Sequence, residues 1–150
     1  FIVSCSSVEF VYNNEKNLIN PLYQKTKVIT SGTDLSFMNS YLPMYFGESD
    51  EYTYNLQINV NEKKTKRSVE TNQATSNLQH ELRFYYALTS IKNNCITFEK
   101  EIISYFSIMP KSSGHNYGAD TSLEKKYELT VSDNLNQFIS ILSDINLDNC

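Results

Sequence analysis

Apolar and polar residues alternate strictly in the middle of the chain, in the segment YTYNLQINV at 52–60. Successive side chains of a β-strand point to opposite faces of a sheet, so this period of two predicts a strand with one buried face and one polar face. Such a strand needs neighbouring strands and a cover for its apolar face. The segment therefore limits the chain to folds that contain a sheet.

Two further segments show the same pattern. LQHELRFYYALTSI at 78–91 and CITFEKEIISYFSIM at 95–109 are separated by KNN, which predicts a tight turn. In the third strand, one predicted face carries Ile96, Phe98, Ile102, Phe106 and Ile108, together with Lys100 and Ser104. We expect the three long strands to form an antiparallel meander.

Two helices and one short strand complete the predicted domain. KVIT at 27–30 predicts the short strand, and the spacing of Leu35, Met38, Leu42 and Tyr45 predicts a helix. Thr33 or Asp34 can cap that helix, and Pro43 is expected to bend or end it.

The last element is predicted to be a long helix. Apolar residues at helical spacing run from Leu123 to Ile145, and Thr121 with Glu124 fits a capping box at the start of the helix. The predicted fold class is α+β: an antiparallel or mixed four-stranded sheet, one strand short and three long, with two helices packed on one face.

Composition and charge exclude some function classes. The chain has 150 residues, which suits one domain, and 13 Lys and Arg against 17 Asp and Glu give a net charge of -4. Nucleic-acid binding needs a concentrated basic face, so this balance disfavours it. No apolar run is long enough to predict a membrane-spanning helix.

The first residues, FIVSC, fit the end of a bacterial lipoprotein signal peptide. In this interpretation residues 1–4 remain from the signal peptide, Cys5 carries the covalent lipid, and 5–26 form an extended leader before a single α+β domain at 27–148. The thiol of Cys5 is the nucleophile that such a modification requires. The alternative is that Cys5 is a small core residue of an N-terminal strand.

The most polar part of the chain, NEKKTKRSVETNQATSN at 61–77, contains Lys63, Lys64, Lys66 and Arg67. These four cations are candidate contacts for an anionic group such as a phosphate, or they belong to a solvated loop.

The remaining side chains indicate no catalytic or metal site. His80 lies in a predicted strand and His115 in a predicted loop, neither with other ligands at metal-binding spacing, so we expect both to be structural or exposed. We expect no cofactor apart from the lipid. Cys95 and Cys150 either pair as a disulfide outside the cytoplasm or remain a buried and a free thiol.

The order of these parts resembles the LPS-assembly lipoprotein LptE family, in its divergent alphaproteobacterial form. CSSVEFVY is similar to the start of the family's leader, and YTYNLQINV to its first long strand. ATSNLQHELRFYYALTSIKNNCITFEKEIISYFSI resembles its paired strands, and NYGADTSLEKKYELTVSDNLNQFISIL its last helix. The resemblance covers most of residues 5–145.

This resemblance implies a non-enzymatic lipoprotein on the periplasmic side of the outer membrane. Such a protein plugs and helps assemble the β-barrel LptD and assists the transport of lipopolysaccharide to the cell surface. Lys63, Lys64, Lys66 and Arg67 would then contact lipid A phosphates or acidic residues of the barrel lumen. Two alternatives stay open: an adaptor or pilotin lipoprotein of another envelope complex, and a secreted binding domain without lipid.

Overall fold

The computed structural model describes residues 20–68, 76–108, 117–148 and 150. Four strands and two helices follow one another as β1 (Thr26–Gly32), α1 (Met38–Phe46), β2 (Tyr54–Ser68), β3 (Ser76–Ser90), β4 (Cys95–Ile108) and α2 (Tyr117–Leu142). One short strand, three long strands and two helices make an α+β fold, which confirms the predicted class.

The strands form a single mixed sheet in the order β1-β2-β3-β4. β2, β3 and β4 pair antiparallel in sequence order, as predicted for a meander. β1 pairs parallel to β2, with Thr26 opposite Tyr54. Parallel neighbours need a crossover connection, and α1 lies in that connection.

One face of the sheet holds the core, and both helices contribute to it. Alternate residues of β2 and β3 are buried there, including Leu56, Ile58 and Phe84. α1 adds Met38, Leu42 and Phe46, whereas α2 adds Val131, Leu135, Phe138 and Leu142. The Phe138 and Tyr86 rings stack with their centroids 3.9 Å apart. We call the opposite face of the sheet the open face.

The packed domain begins before the predicted boundary at residue 27. Leu22 is fully buried in the core, and the Asn20 side chain donates a hydrogen bond to the carbonyl oxygen of Tyr45 at 2.6 Å. The Gln24 amide donates to the carbonyl oxygen of Phe46 at 2.7 Å, which ties this segment to the end of α1. Residues 20–26 therefore belong to the domain, and the assignment of all of 5–26 to an extended leader was wrong. Residues 1–19, with Cys5, lie outside the described residues.

A bulge in β4 moves Ile96 off the core face on which it was predicted. Leu88 is opposite Phe98, but the next residue, Thr89, is opposite Ile96. The extra residue Thr97 shifts the alternation by one and leaves Ile96 57% exposed on the open face. Because the period-two rule assumes an uninterrupted ladder, it could not anticipate this change of side.

The predicted helix starts also need correction. α1 begins after Phe37 without a side-chain cap, so neither Thr33 nor Asp34 caps it. Pro43 lies inside α1, which continues to Phe46. α2 already begins at Tyr117, so Thr121 is a helical residue and not the cap. The capping box matched a local pattern, but the helix continues one turn further toward its N-terminus.

Candidate functional site

The four candidate cations lie in strand β2 and not in a loop. β2 continues to Ser68 and pairs with β3, so that Lys64 is opposite His80 and Lys66 is opposite Leu78. The polar composition of 61–77 suggested a loop. Strand pairing forms through backbone hydrogen bonds, which do not depend on the polarity of the side chains, so the pairing continues to Ser68. The side chains of Lys63, Lys64 and Lys66 are exposed at this far end of the sheet.

Strand alternation separates these cations. Lys64 and Lys66 share the core face of the sheet with His80, whereas Lys63 lies on the open face opposite Glu81. The Arg67 backbone is opposite Asn77, and its side chain lies outside the description. The structure therefore brings Lys64 and Lys66 to one side and does not bring Lys63 to them.

Neighbouring carboxylates offset part of the positive charge. Lys64 Nζ lies 3.5 Å from Glu62 Oε1, and Arg83 lies 3.1 Å from Glu81 and 3.7 Å from Glu101. The two Arg83 pairs are largely exposed, and exposed pairs contribute little to stability. The carboxylates also lower the positive electrostatic potential that an approaching anion meets. Of the two cations on the core face, Lys64 and Lys66, only Lys66 has no carboxylate within 4.0 Å among the described side chains.

Beneath Lys64 lies a group of aromatic and titratable side chains, which we call the histidine cluster: Glu62, His80, Phe106 and Tyr127. His80 is 1% exposed and stacks on Phe106 with ring centroids 4.5 Å apart. Its Nδ1 atom lies 3.1 Å from the Tyr127 hydroxyl and 3.7 Å from Glu62 Oε2. The cluster thus joins strands β2, β3 and β4 to helix α2.

The surroundings of the histidine cluster favour uncharged forms of His80 and Tyr127. Burial lowers the pKa of His80 below its ordinary value, an effect that Glu62 opposes and Lys64 adds to. Burial, followed by the nearby Glu62 carboxylate, raises the pKa of Tyr127. The chemistry that this arrangement offers is the uptake and release of a proton at His80.

Sequence reasoning placed His80 correctly in a strand but did not identify its partners. Glu62 lies in the neighbouring strand, and Tyr127 belongs to a helix that is distant in sequence. The alternation of β2 is the signal that was available, because it places Glu62 on the apolar side of the strand. Within 20–68, 76–108, 117–148 and 150, no three His, Cys, Asp or Glu side chains converge on a metal-sized site. His115 is outside these ranges.

The open face is a second candidate site, for interaction with a macromolecule. On this face, β2 presents Asn55, Gln57, Asn59 and Asn61 at alternate positions. Asn59 donates to Ser31 Oγ at 3.0 Å, and Asn61 donates to Asn59 Oδ1 at 2.9 Å. The described side chains of this face carry three cations and three carboxylates, which are Lys27, Lys63, Arg83, Glu81, Glu99 and Glu101. The described charges of this surface balance, and exposed apolar side chains lie among its polar groups: Ile29, Tyr85, Ile96 and Tyr105.

A disulfide joins Cys95, at the start of β4, to Cys150. The Cα atoms are 6.3 Å apart, and the Asn93 side chain donates to the carbonyl oxygen of Cys150 at 3.1 Å. The bond connects the β3–β4 turn to the segment that follows α2. Of the described helices, neither combines the length and the apolar character that crossing a bilayer requires.

Similarity to known proteins is detected at the level of fold. A structure described as a "putative lipoprotein" from Caulobacter crescentus CB15 matches with a TM-score of 0.52 and 9% identity, over 77% of this chain and 87% of that one. A "putative neuraminyllactose-binding hemagglutinin homolog" from Helicobacter pylori matches with a TM-score of 0.50 and 10% identity, over 84% and 92%. Rare lipoprotein B from Shewanella oneidensis gives 0.40 and 12% identity, over 77% and 89%, and a score of that size does not establish a shared fold. No protein-family model and no curated protein sequence matches the chain.

Proposed function

We propose that this chain is an outer-membrane lipoprotein, anchored through a lipid on Cys5 and facing the periplasm. Its domain would be a non-enzymatic partner of the β-barrel LptD that plugs the barrel lumen and assists the transport of lipopolysaccharide. The proposal has two parts, the anchor and the partner, and they rest on different observations.

The Cys95–Cys150 disulfide is the observation that carries the envelope part of the proposal. Disulfides persist in oxidising compartments such as the bacterial periplasm and are rare in the cytosol. The chain has three cysteines, so pairing these two leaves Cys5, in the sequence Ile-Val-Ser-Cys, for lipid attachment. The fold shared with the Caulobacter protein, which is described as a lipoprotein, supports the same interpretation.

The open face supports the partner part of the proposal. The interior of a large outer-membrane barrel is polar, so a plug needs a polar surface to contact it. The amides of β2 and the three cations and three carboxylates of the described side chains provide polar contacts on this face. Lys64 and Lys66 share one side of the sheet and are the candidate contacts for lipid A phosphates in this proposal.

Expression of the full-length gene with a tag after Cys150 tests both parts. Membranes are solubilised in mild detergent, lipid attachment is followed with an alkyne-labelled fatty acid, and co-purifying proteins are identified by mass spectrometry. We expect lipid label, membrane localisation and a stoichiometric large β-barrel for the wild type. Cys5→Ser should lose the label and the membrane localisation, whereas the matched control Ser7→Ala should keep both.

The two parts of the proposal fail in different ways. A Cys5→Ser protein that is labelled and distributed like the wild type would overturn the lipoprotein proposal. Lipid attachment without a co-purifying LptD barrel would overturn the partner and favour an adaptor of another envelope complex.

A further inference from the structure

Two buried polar atoms of the histidine cluster have no hydrogen-bond partner within the described residues. They are Glu62 Oε2 and His80 Nε2. An unpaired polar atom in a buried position costs free energy, so such an atom calls for an explanation. Glu62 Oε2 lies 3.7 Å from His80 Nδ1, too far for a hydrogen bond and close enough for a small movement to form one.

His80 Nδ1 instead lies within hydrogen-bond distance of the Tyr127 hydroxyl, at 3.1 Å. A tyrosine hydroxyl can donate or accept, so the direction of this bond depends on the His80 tautomer. When the ring proton resides on Nε2, Nδ1 accepts the bond from Tyr127. Tyr127 belongs to α2 and His80 to β3. With His80 neutral, this hydrogen bond connects the N-terminal half of the helix to the sheet.

We propose that the neutral His80 ring carries its proton on Nε2, accepts the Tyr127 hydrogen bond at Nδ1, and acts as a proton-operated switch between helix α2 and strand β2. A proton taken from solvent binds the lone pair of Nδ1, which can then no longer accept a hydrogen bond from Tyr127. The new N–H donates to Glu62 Oε2, and the Tyr127 hydroxyl keeps its own proton and turns to another acceptor. The link between the sheet and α2 is thus exchanged for an ion pair within the sheet.

The groups around His80 are consistent with such an exchange. β2 contributes Glu62 and Lys64, β4 contributes the uncharged Phe106 ring, and α2 contributes Tyr127. Lys126 of α2 donates to the carbonyl oxygen of Ser107, and Phe37, the residue before α1, contacts Tyr127. Glu62 is the one carboxylate within 4.0 Å of the His80 ring nitrogens among the described side chains, so the imidazolium has a single anionic partner.

The direction of the pH effect follows from burial. Because burial lowers the pKa of His80 from its ordinary 6.5, the folded protein binds this proton less tightly than the unfolded chain does. The contribution of His80 to stability is complete above pH 6.5 and decreases as the pH falls toward the pKa of the folded state. Below that pKa it changes no further. The exchange therefore takes place on the acidic side of the ordinary histidine pKa of 6.5.

NMR and hydrogen exchange on the full chain with its disulfide intact test the switch. Between about pH 7.5 and about pH 5, the ¹⁵N shifts of His80 should change from a neutral ring protonated at Nε2 to the imidazolium. Amides of α2 around Tyr127 should then exchange about tenfold faster, after correction for intrinsic rates. Amides around Phe138, further along the same helix, should not change.

Two variants separate the switch from a general effect of acid. Tyr127→Phe keeps the ring and removes the hydroxyl, so the amides of α2 should exchange fast at both pH values. Glu62→Gln removes the anionic partner, so His80 should titrate at a lower pH than in the wild type. The proposal goes beyond the proposed function and is independent of lipid on Cys5.

Three results would overturn the proposal. One is a neutral His80 ring that carries its proton on Nδ1. Another is exchange in α2 that does not change while His80 titrates, and the third is a Tyr127→Phe protein whose exchange responds to acid as the wild type does.

Discussion

Asn134 is a polar residue at the centre of the core and connects α2 to two strands. It is fully buried, its Oδ1 accepts a hydrogen bond from the Tyr86 hydroxyl at 2.6 Å, and its Nδ2 donates to Ser104 Oγ at 2.8 Å and to the Ile102 carbonyl oxygen at 3.1 Å. Each of its polar atoms is therefore satisfied, as the burial of an amide requires. Burial also raises the pKa of Tyr86 well above its ordinary value, so its hydroxyl remains a donor.

Replacing Asn134 by Ala should destabilise the protein strongly. The change leaves the Tyr86 hydroxyl and neighbouring acceptors without partners in a dry environment, for which we expect a loss of about 3 kcal/mol in the free energy of unfolding. Urea unfolding followed by circular dichroism measures the loss. The matched control is Asn136→Ala at a half-buried position of the same helix, with an expected change of about 0.5 kcal/mol or less. Equal losses in the two variants would contradict a special role for Asn134.

The sequence predicts the burial of apolar side chains better than the burial of polar ones. The helical stripe through Val131, Leu135, Phe138 and Leu142 is buried as predicted. Asn134 lies three residues after Val131 and four before Phe138, on the same stripe, but a pattern of apolar residues has no rule for an amide within it. The partners that make its burial favourable come from β3 and β4, and no local pattern contains them.

The Cys95–Cys150 disulfide connects two elements that are far apart in the sequence. It joins residues 55 positions apart and holds the segment after α2 against the β3–β4 turn. A cross-link of this kind removes conformations mainly from the unfolded chain, and more of them when the closed loop is long.

The double variant Cys95→Ser, Cys150→Ser should lose about 4 kcal/mol of stability in the loop-entropy treatment. The free energy of unfolding in urea, with and without dithiothreitol, measures this change. Reductant should lower the stability of the wild type to that of the double variant and leave the double variant unaffected. A wild type that reductant does not destabilise would show that the cross-link contributes nothing to the fold.

The strands and helices could mostly be predicted from the sequence, but the bulge in β4 and the start of α2 could not. The period of two identified β2, β3 and β4 because each strand buries one face over many residues. The part of β2 after Val60 was not predicted, because both of its faces are polar and the alternation of apolar and polar residues is lost there. The bulge at Thr97 and the early start of α2 depend on pairing and packing with distant parts of the chain.

The two faces of the sheet differ, since both helices pack on one, whereas the other presents the amides of β2 and six described charges. Sequence reasoning predicted a mixed or antiparallel sheet with a polar face, but it did not assign β1 a place beside β2 or a parallel direction. Strand order depends on long-range pairing, which a single sequence does not record. The order determines the open face, since it places the amides of β2 between β1 and the two strands that carry four of its six described charges.

If the open face contacts the lumen of LptD, charge added at its centre should weaken that contact. Gln57 is exposed on this face, between Ile29 of β1 and Ala87 of β3. Gln57→Arg adds an unpaired cation to an electrically balanced surface, and desolvating such a charge in an interface is costly. We expect recovery of the barrel with the tagged protein to fall by about tenfold or more, while thermal stability and lipid labelling stay unchanged.

The control for this prediction is the same change on the other side of the molecule. Gln137 is an exposed amide on α2, where it donates a hydrogen bond to Asp133. Gln137→Arg places an equal charge beside that carboxylate and should leave barrel recovery near the wild-type level. If Gln137→Arg lost the barrel and Gln57→Arg kept it, the helix side would be the interface and the open face would be excluded. Because both variants carry the same added charge, the comparison separates the position of the contact from a general effect of charge on the protein.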